Sequence, residues 1–260
     1  MMNKINKERL DFWNKRALLG ENAGSNDFNL KYLEIKELSK FMKDGLKVLE
    51  LGCGNGITSI EFAKKFNVKI TAVDYSEKMI EQAKENLQNN KDHFKGTLSF
   101  SVLSLSQLDK LNDKFDLVFT ERVLINLNSW DEQKDSLLKI SELLNENGIY
   151  CMCESSIKAL NNINKLRLNF DLTEIIHPWH NTYIDDEKLE KFNKENNNLT
   201  LVETSNFAST YYLFSRVVNA RIAKDNNEEV NYSHPLNLIS LKLPIFGDYS
   251  QSKLWIFKKK

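Results

Sequence analysis

Cysteine is almost missing from this chain. Its three copies, Cys53, Cys151 and Cys153, cannot build the disulfide framework of a stapled secreted domain. Cys151 and Cys153 form C-x-C inside a predicted strand and are expected to point to opposite faces, which suits neither a bridge nor a metal site. No C-x-x-C or other metal-ligand spacing occurs, so no bound ion is expected. A charge excess is missing too: 36 basic and 36 acidic residues cancel, which argues against a surface built for nucleic-acid phosphates. No apolar run approaches membrane-spanning length, and MMNKINKERLDFW has no apolar signal region. A soluble cytoplasmic protein is expected, monomer or homodimer, with neither nucleic acid nor membrane as partner. Internal repeats are absent, and the Asn/Lys-rich patches at 160–165 and 193–198 read as solvated helix ends or loops. At 260 residues the chain is one large domain, or a core with a sizeable insertion, and can bury its apolar surface without staples.

What is present is organised around residues 46–56, LKVLELGCGNG. An apolar strand ends in Glu50, and Gly52, Gly54 and Gly56 follow in alternation. Ile57, Ile60, Phe62, Ala63 and Phe66 then recur at helical spacing. A strand, a glycine turn and a helix N-terminus form the nucleotide-binding end of an open α/β sheet. The third glycine of a dinucleotide fingerprint is lacking, because Ile57 stands there, and no Lys-Ser/Thr pair follows as a P-loop requires. The remaining pattern, E-x-G-x-G-x-G, resembles motif I of the class I S-adenosylmethionine-dependent methyltransferases.

Downstream, VKITAVD (68–74) is a second strand whose final residue, Asp74, lies 22 positions after Gly52, where a βαβ unit puts a carboxylate beside the ribose. Ser76 caps the helix that follows. TLSFSVLSLSQL (97–108) reads as strand three and KFDLVFTERVLINL (114–127) as strand four and its exit, with Glu121 and Arg122 at its tip. SWDEQKDSLLKISELLNENG is a helix stopped by Gly148, IYCMCESS (149–156) is strand five ending at Glu154, and LTLVETSNF (199–207) and SKLWIFKKK (252–260) are the last two. Residues 3–42 read as helices with a break near Gly20–Asn26, and Trp13 and Arg16 share one helical face.

The resemblance implies a Rossmann-like seven-stranded α/β sheet in the order 3-2-1-4-5-7-6, with S-adenosylmethionine as cofactor. It implies an N-terminal helical lid at 1–42, with Trp13 and Arg16 over the cofactor, and a core at 43–260 carrying insertions at about 157–198 and 207–250. Glu50, Gly52, Gly54, Gly56 and Asp74 would hold the cofactor; Tyr75 and Met79 would wall the adenine. Ser104 stands where the family commonly has an acid for the adenine amino group, so Leu105 and the backbone are expected to share that role. Strand four ends in Thr-Glu-Arg-Val without the proline motif of base and amide N-methyltransferases, and Glu121 is expected at the cofactor and the reacting centre.

Substrate contacts are expected from the insertions, because loops on a fixed scaffold carry specificity. His177-Pro178-Trp179-His180-Asn181-x-Tyr183 packs polar and aromatic groups around one of only three prolines. With Glu154, Tyr211, Tyr212, Arg216 and Arg221 it is the candidate acceptor site. His180 or His177 would take an acceptor proton, Glu121 or Glu154 would orient the acceptor, and Arg122, Arg167 or Arg216 would hold an anionic one. The PWHN-x-Y, STYY and HPLN segments resemble bacterial methyltransferases encoded with surface-polysaccharide genes, which implies O-methylation of a sugar, phosphorylated or phosphoramidate precursor. A small-amine N-methyltransferase, a non-catalytic methyltransferase-like partner and a nicotinamide oxidoreductase are the competing readings.

Overall fold

A computed structural model describes residues 4–90 and 93–260, without the Glu21 side chain. The first three residues of the expected lid lie outside that range. Seven strands form one sheet: β1 (Lys47–Leu51), β2 (Lys69–Asp74), β3 (Thr97–Val102), β4 (Phe115–Glu121), β5 (Leu144–Ser155), β6 (Leu199–Ser205) and β7 (Ser252–Lys259). Their spatial order is 3-2-1-4-5-7-6, as the family resemblance implied, parallel except for β7, which runs antiparallel between β5 and β6. Val48, Leu49, Leu51, Val118 and Phe119 are fully enclosed, so both faces of the central strands are covered.

Helices α3 (Ile57–Lys65), α4 (Glu77–Asn89) and α5 (Trp130–Leu143) link the parallel strands. Ser76 caps α4 by accepting from the Met79 N–H at 3.1 Å, and Ser129 caps α5 through the Glu132 N–H at 3.3 Å. Ahead of the sheet lie α1 (Lys4–Ala17) and α2 (Phe28–Leu38); α1 packs on α4, with Trp13 against Ala17, Ala23 and Met79. The first insertion forms α6 (Ile157–Asn169) and α7 (Asp186–Glu195). The second forms α8 (Ser209–Tyr212), a π-turn over Leu213–Val218, α9 (Asn219–Asp225) and α10 (Pro235–Ser240).

Three local expectations are corrected. Strand three stops at Val102 rather than 108, because Ser104 and Gln107 form a reciprocal capping box that opens a 3₁₀ turn over Leu105–Lys110. The helix before strand five ends at Leu143, not Gly148; Leu144 is already extended, and Asn147 makes the bend at φ +62° where the β4–β5 register shifts. Cys151 and Cys153, two apart in β5, share a face instead of opposing each other; both are buried free thiols. Among the described residues no helix is long and apolar enough to cross a membrane, and no group of three His, Cys, Asp or Glu is placed to hold a metal.

Candidate active site

The carboxyl ends of β1, β2 and β4 open into a cavity of about 700 Å³. Its floor is the glycine turn. Gly52 and Cys53 both donate N–H to the Val73 carbonyl, at 2.7 and 2.9 Å, which ties the turn to the end of β2. Gly54 has φ +53° and nothing within 4 Å of where a side chain would stand, so its bare backbone faces the cavity. Gly56 is different: at φ +79° it opens α3, and a methyl group there would meet the Phe100 ring at 2.5 Å.

Asp74 joins the turn to the next helix. One carboxylate oxygen accepts the Gly54 N–H at 2.9 Å and the other the Ser76 N–H at 2.8 Å. A carboxylate has about four lone-pair sites, so two remain for hydroxyls of a bound molecule. Burial raises the Asp74 pKa, opposed by those N–H groups, and it raises Tyr75 further, with Asp74 adding to the effect. Tyr75, Met79, Ser104 and Leu105 line the cavity, as do Trp13, Glu50, Gly52, Glu121 and Arg122. Trp13 is held there by its Nε1–H, which donates to Asn126 Oδ1 at 3.2 Å.

At the tip of β4 the charges converge. Lys31 donates to Glu121 Oε1 at 2.5 Å and to Thr58 Oγ1 at 2.7 Å, and Thr58 donates to the other Glu121 oxygen at 2.9 Å. Burial disfavours the Glu121 anion, but Lys31 and Arg122 outweigh it and pull the pKa down to about 2. Glu50, enclosed at the end of β1 and bonded to Ser59, is pushed up to about 8 by burial.

Other predicted site residues lie away from the cavity wall. Arg16 donates to the Ala23 and Asn22 carbonyls and pins the 20–23 turn to the end of α1. Glu154 is a structural anchor: its oxygens accept the N–H groups of Val123, Leu124 and Ile125 at 3.0, 3.1 and 3.3 Å, at the head of a 3₁₀ turn. Tyr183 is buried and donates to Gln251, and Tyr211 is buried and donates to Asp27 Oδ1 at 2.6 Å. Arg216 donates to Asp27 Oδ2 at 2.5 Å and lies over the rings of Tyr212 and Tyr232. Arg167 is engaged by the Thr173 and Arg216 carbonyls, and Arg221 by Asp171 and Asp225 on the surface. His177 is exposed. His180 is packed against α1, its ring 4.3 Å from Phe12 and 5.7 Å from Trp13, with the Trp179 ring touching both it and Phe12 and Asn181 turned back on Pro178. Burial, then Arg9 and Arg16, lower the His180 pKa.

Sequence reasoning missed Arg9, Lys31 and Asn126 in the cavity wall. Arg9 lies one helical turn before Trp13 and was findable by that spacing. It donates to the His180 carbonyl at 3.0 Å and to Asn128 Oδ1 at 2.5 Å, fastening α1 to the 177–181 loop and to the turn before α5. Lys31 and Asn126 have no comparable signal, because their partners are distant in sequence.

The buried acids set a pH dependence. Burial holds Glu34 and Glu50 at about 8 and Glu154 at about 7. Each folded-state pKa is above the unfolded value, so this stabilisation is complete below the ordinary carboxylate range and is lost as pH rises through 7 to 8. Glu121 acts oppositely, losing its contribution only as pH falls towards 2. The thermal midpoint is therefore expected to fall between about pH 5.5 and about pH 9, and Glu50→Gln should shrink the fall. A midpoint that rises over that interval contradicts the assignment.

A family model described as a methyltransferase domain matches residues 42–229, and the chain belongs to that family. Over 115 residues it is 34% identical to the ribosomal protein L11 methyltransferase of Ruminiclostridium cellulolyticum, covering 42% of this chain and 36% of that protein. Over 130 residues it is 30% identical to the same-named protein of Dictyoglomus thermophilum, covering 49% and 38%. The chain thus spans well under half the length of these relatives. Among solved structures, magnesium protoporphyrin IX methyltransferase from Synechocystis PCC 6803, with bound S-adenosylhomocysteine, has TM-score 0.55 at 14% identity, covering all of this chain and 89% of that one. A TehB-like S-adenosylmethionine-dependent methyltransferase from Corynebacterium glutamicum has TM-score 0.55 at 16% identity, covering 98% and 100%. These likenesses show the fold.

Proposed function

We propose that the chain transfers a methyl group from S-adenosylmethionine to a small-molecule acceptor. The observation that carries this reading is Asp74 at the tip of β2, bonded to the Gly54 N–H on the floor of the cavity, with lone pairs to spare for ribose hydroxyls. Gly52, Gly54 and Asp74 would hold the cofactor from below, Tyr75, Met79 and Leu105 would wall the adenine, and Trp13 would cover it from the lid. The cofactor supplies a methyl group on a sulfonium, poised for in-line displacement. The chain's own work is to align the acceptor and exclude water, with α1 covering the cavity and the 177–181 loop backing α1 through Arg9 and Phe12. Titration of S-adenosylhomocysteine into the wild-type protein tests this, and a flat calorimetric trace would defeat it.

The acceptor reading is O-methylation of a sugar, phosphorylated or phosphoramidate precursor of a surface polysaccharide. It rests on the resemblance of the insertion motifs, and the positions of His177 and His180 favour an acceptor that needs no histidine base. A small-amine N-methyltransferase and a non-catalytic partner are the alternatives; binding of the cofactor without turnover on any acceptor would support the latter. His177→Ala is expected to bind S-adenosylhomocysteine like the wild type. His180→Ala should bind it about 2- to 10-fold more weakly, because an aromatic pair behind the lid contributes about 0.5–1.5 kcal/mol. A loss of binding in His177→Ala would place that ring in the cavity instead.

A further inference from the structure

Arg122 holds φ +59°, a left-handed conformation that a non-glycine residue keeps only where its surroundings over-determine it. At the tip of β4 it lines the cavity. Nη1 donates to the Gly24 carbonyl at 3.2 Å, and Nη2 stands 3.4 Å from Glu121 Oε1 and from Glu34 Oε2. Its Nε–H is buried with no hydrogen-bond partner, and so is Glu34 Oε2. Glu34 is fully buried on α2 and accepts from Ser252 Oγ at 3.0 Å through its other oxygen.

Six ionisable groups, four of them charged at some pH of interest, therefore share one largely buried corner. Lys31 faces Glu34 from its own helix, Glu121 and Arg122 from β4, Cys153 from β5 and Tyr212 from α8. Burial, with Glu121 adding to it and Arg122 opposing, keeps Glu34 protonated up to about 8. Near neutral pH the corner holds the cations Lys31 and Arg122 against the single anion Glu121. A half-buried cation in excess, with an idle donor, calls for an anion. The insertion-side arginines are already engaged: Arg216 by Asp27, Arg167 by two carbonyls.

Resting on the methyl-transfer reading, we propose that the acceptor carries an oxyanion that docks on Arg122, and that Glu34 is a positioning residue that sets the charge Arg122 can offer. Ionisation of Glu34 neutralises the corner and weakens the dock.

The test uses protein saturated with S-adenosylhomocysteine, titrated calorimetrically with sodium sulfate or with sodium acetate at fixed ionic strength, at about pH 6.5 and about pH 9. Neither anion titrates in that interval. The wild type is expected to bind one anion, at least fivefold more weakly at the higher pH. Arg122→Lys should lose about tenfold or more, since an ammonium lacks the fork. Glu34→Gln should bind as the wild type does at the lower pH and lose the pH dependence. A preference for sulfate identifies a tetrahedral acceptor group and a preference for acetate a carboxylate; either supports the proposal. Absence of anion binding to the complex overturns it, as does a pH dependence that survives Glu34→Gln. Displacement of S-adenosylhomocysteine by sulfate also overturns it, because Arg122 would then serve the cofactor's own carboxylate. A wild type that does not bind S-adenosylhomocysteine at all overturns the methyl-transfer reading along with this one.

Discussion

Calorimetric titration of S-adenosylhomocysteine into Asp74→Ala is expected to show at least a hundredfold loss of affinity relative to the wild type. Asp74 sits at the one point where the glycine turn, the start of α4 and the cavity meet. Its oxygens hold the Gly54 and Ser76 N–H groups at 2.9 and 2.8 Å. Alanine removes the carboxylate offered to the ribose and also frees the Gly54 N–H from its anchor. Hydrogen bonds to a charged group contribute about 1.5–3 kcal/mol each, and two of them correspond to a factor of about 10² or more. Asp74→Asn, which keeps one acceptor oxygen, should fall between the two. Affinity within tenfold of the wild type in Asp74→Ala would remove Asp74 from the binding site.

Glu154→Ala should lower the thermal midpoint by about 6–12 °C, the largest stability effect expected of a single substitution in this region. The side chain is fully enclosed, and its loss strands the N–H groups of Val123, Leu124 and Ile125. Each buried donor left without a partner costs about 1–3 kcal/mol, so a loss of about 3 kcal/mol or more follows. The turn it holds also carries Val123 and Asn126 into the cavity wall, so cofactor affinity should fall with stability. Glu154→Gln keeps one oxygen for these donors and should lose less. An unchanged midpoint in Glu154→Ala would mean that water replaces the carboxylate, and the anchor role would be lost.

The two carboxylates show how far the sequence could be read. Asp74 was legible because its place follows from local facts: a strand of known length, a glycine turn and a fixed interval to the next strand tip. Glu154 was read with the same logic as a strand-end acid and assigned to the acceptor, yet its oxygens point back at the turn after β4. Nothing within β5 announces that turn. The histidine and tyrosine segment illustrates the same limit. Pro178 through Tyr183 reads as a cluster, but Tyr183 points into the core, His180 against α1, and Trp179 is largely exposed. Proximity in sequence put these residues together, while the fold sent Tyr183 inward and left His180 and Trp179 against Phe12 of α1.

The strand order was what the family resemblance implied, while the residues, taken alone, determined the strands and the glycine-turn floor of the cavity. These depend on hydrophobic periodicity, glycine spacing and capping residues acting over a few positions at a time. Only the tertiary structure decided which charged side chains face the cavity and which are consumed in packing. Arg216 and Asp27 pair across 189 positions, Arg9 reaches the His180 carbonyl across 171, and Lys31 meets Glu121 across 90. A charged group's role is set by whichever opposite charge or donor burial brings beside it, and burial at such separations is settled only when the chain has closed on itself.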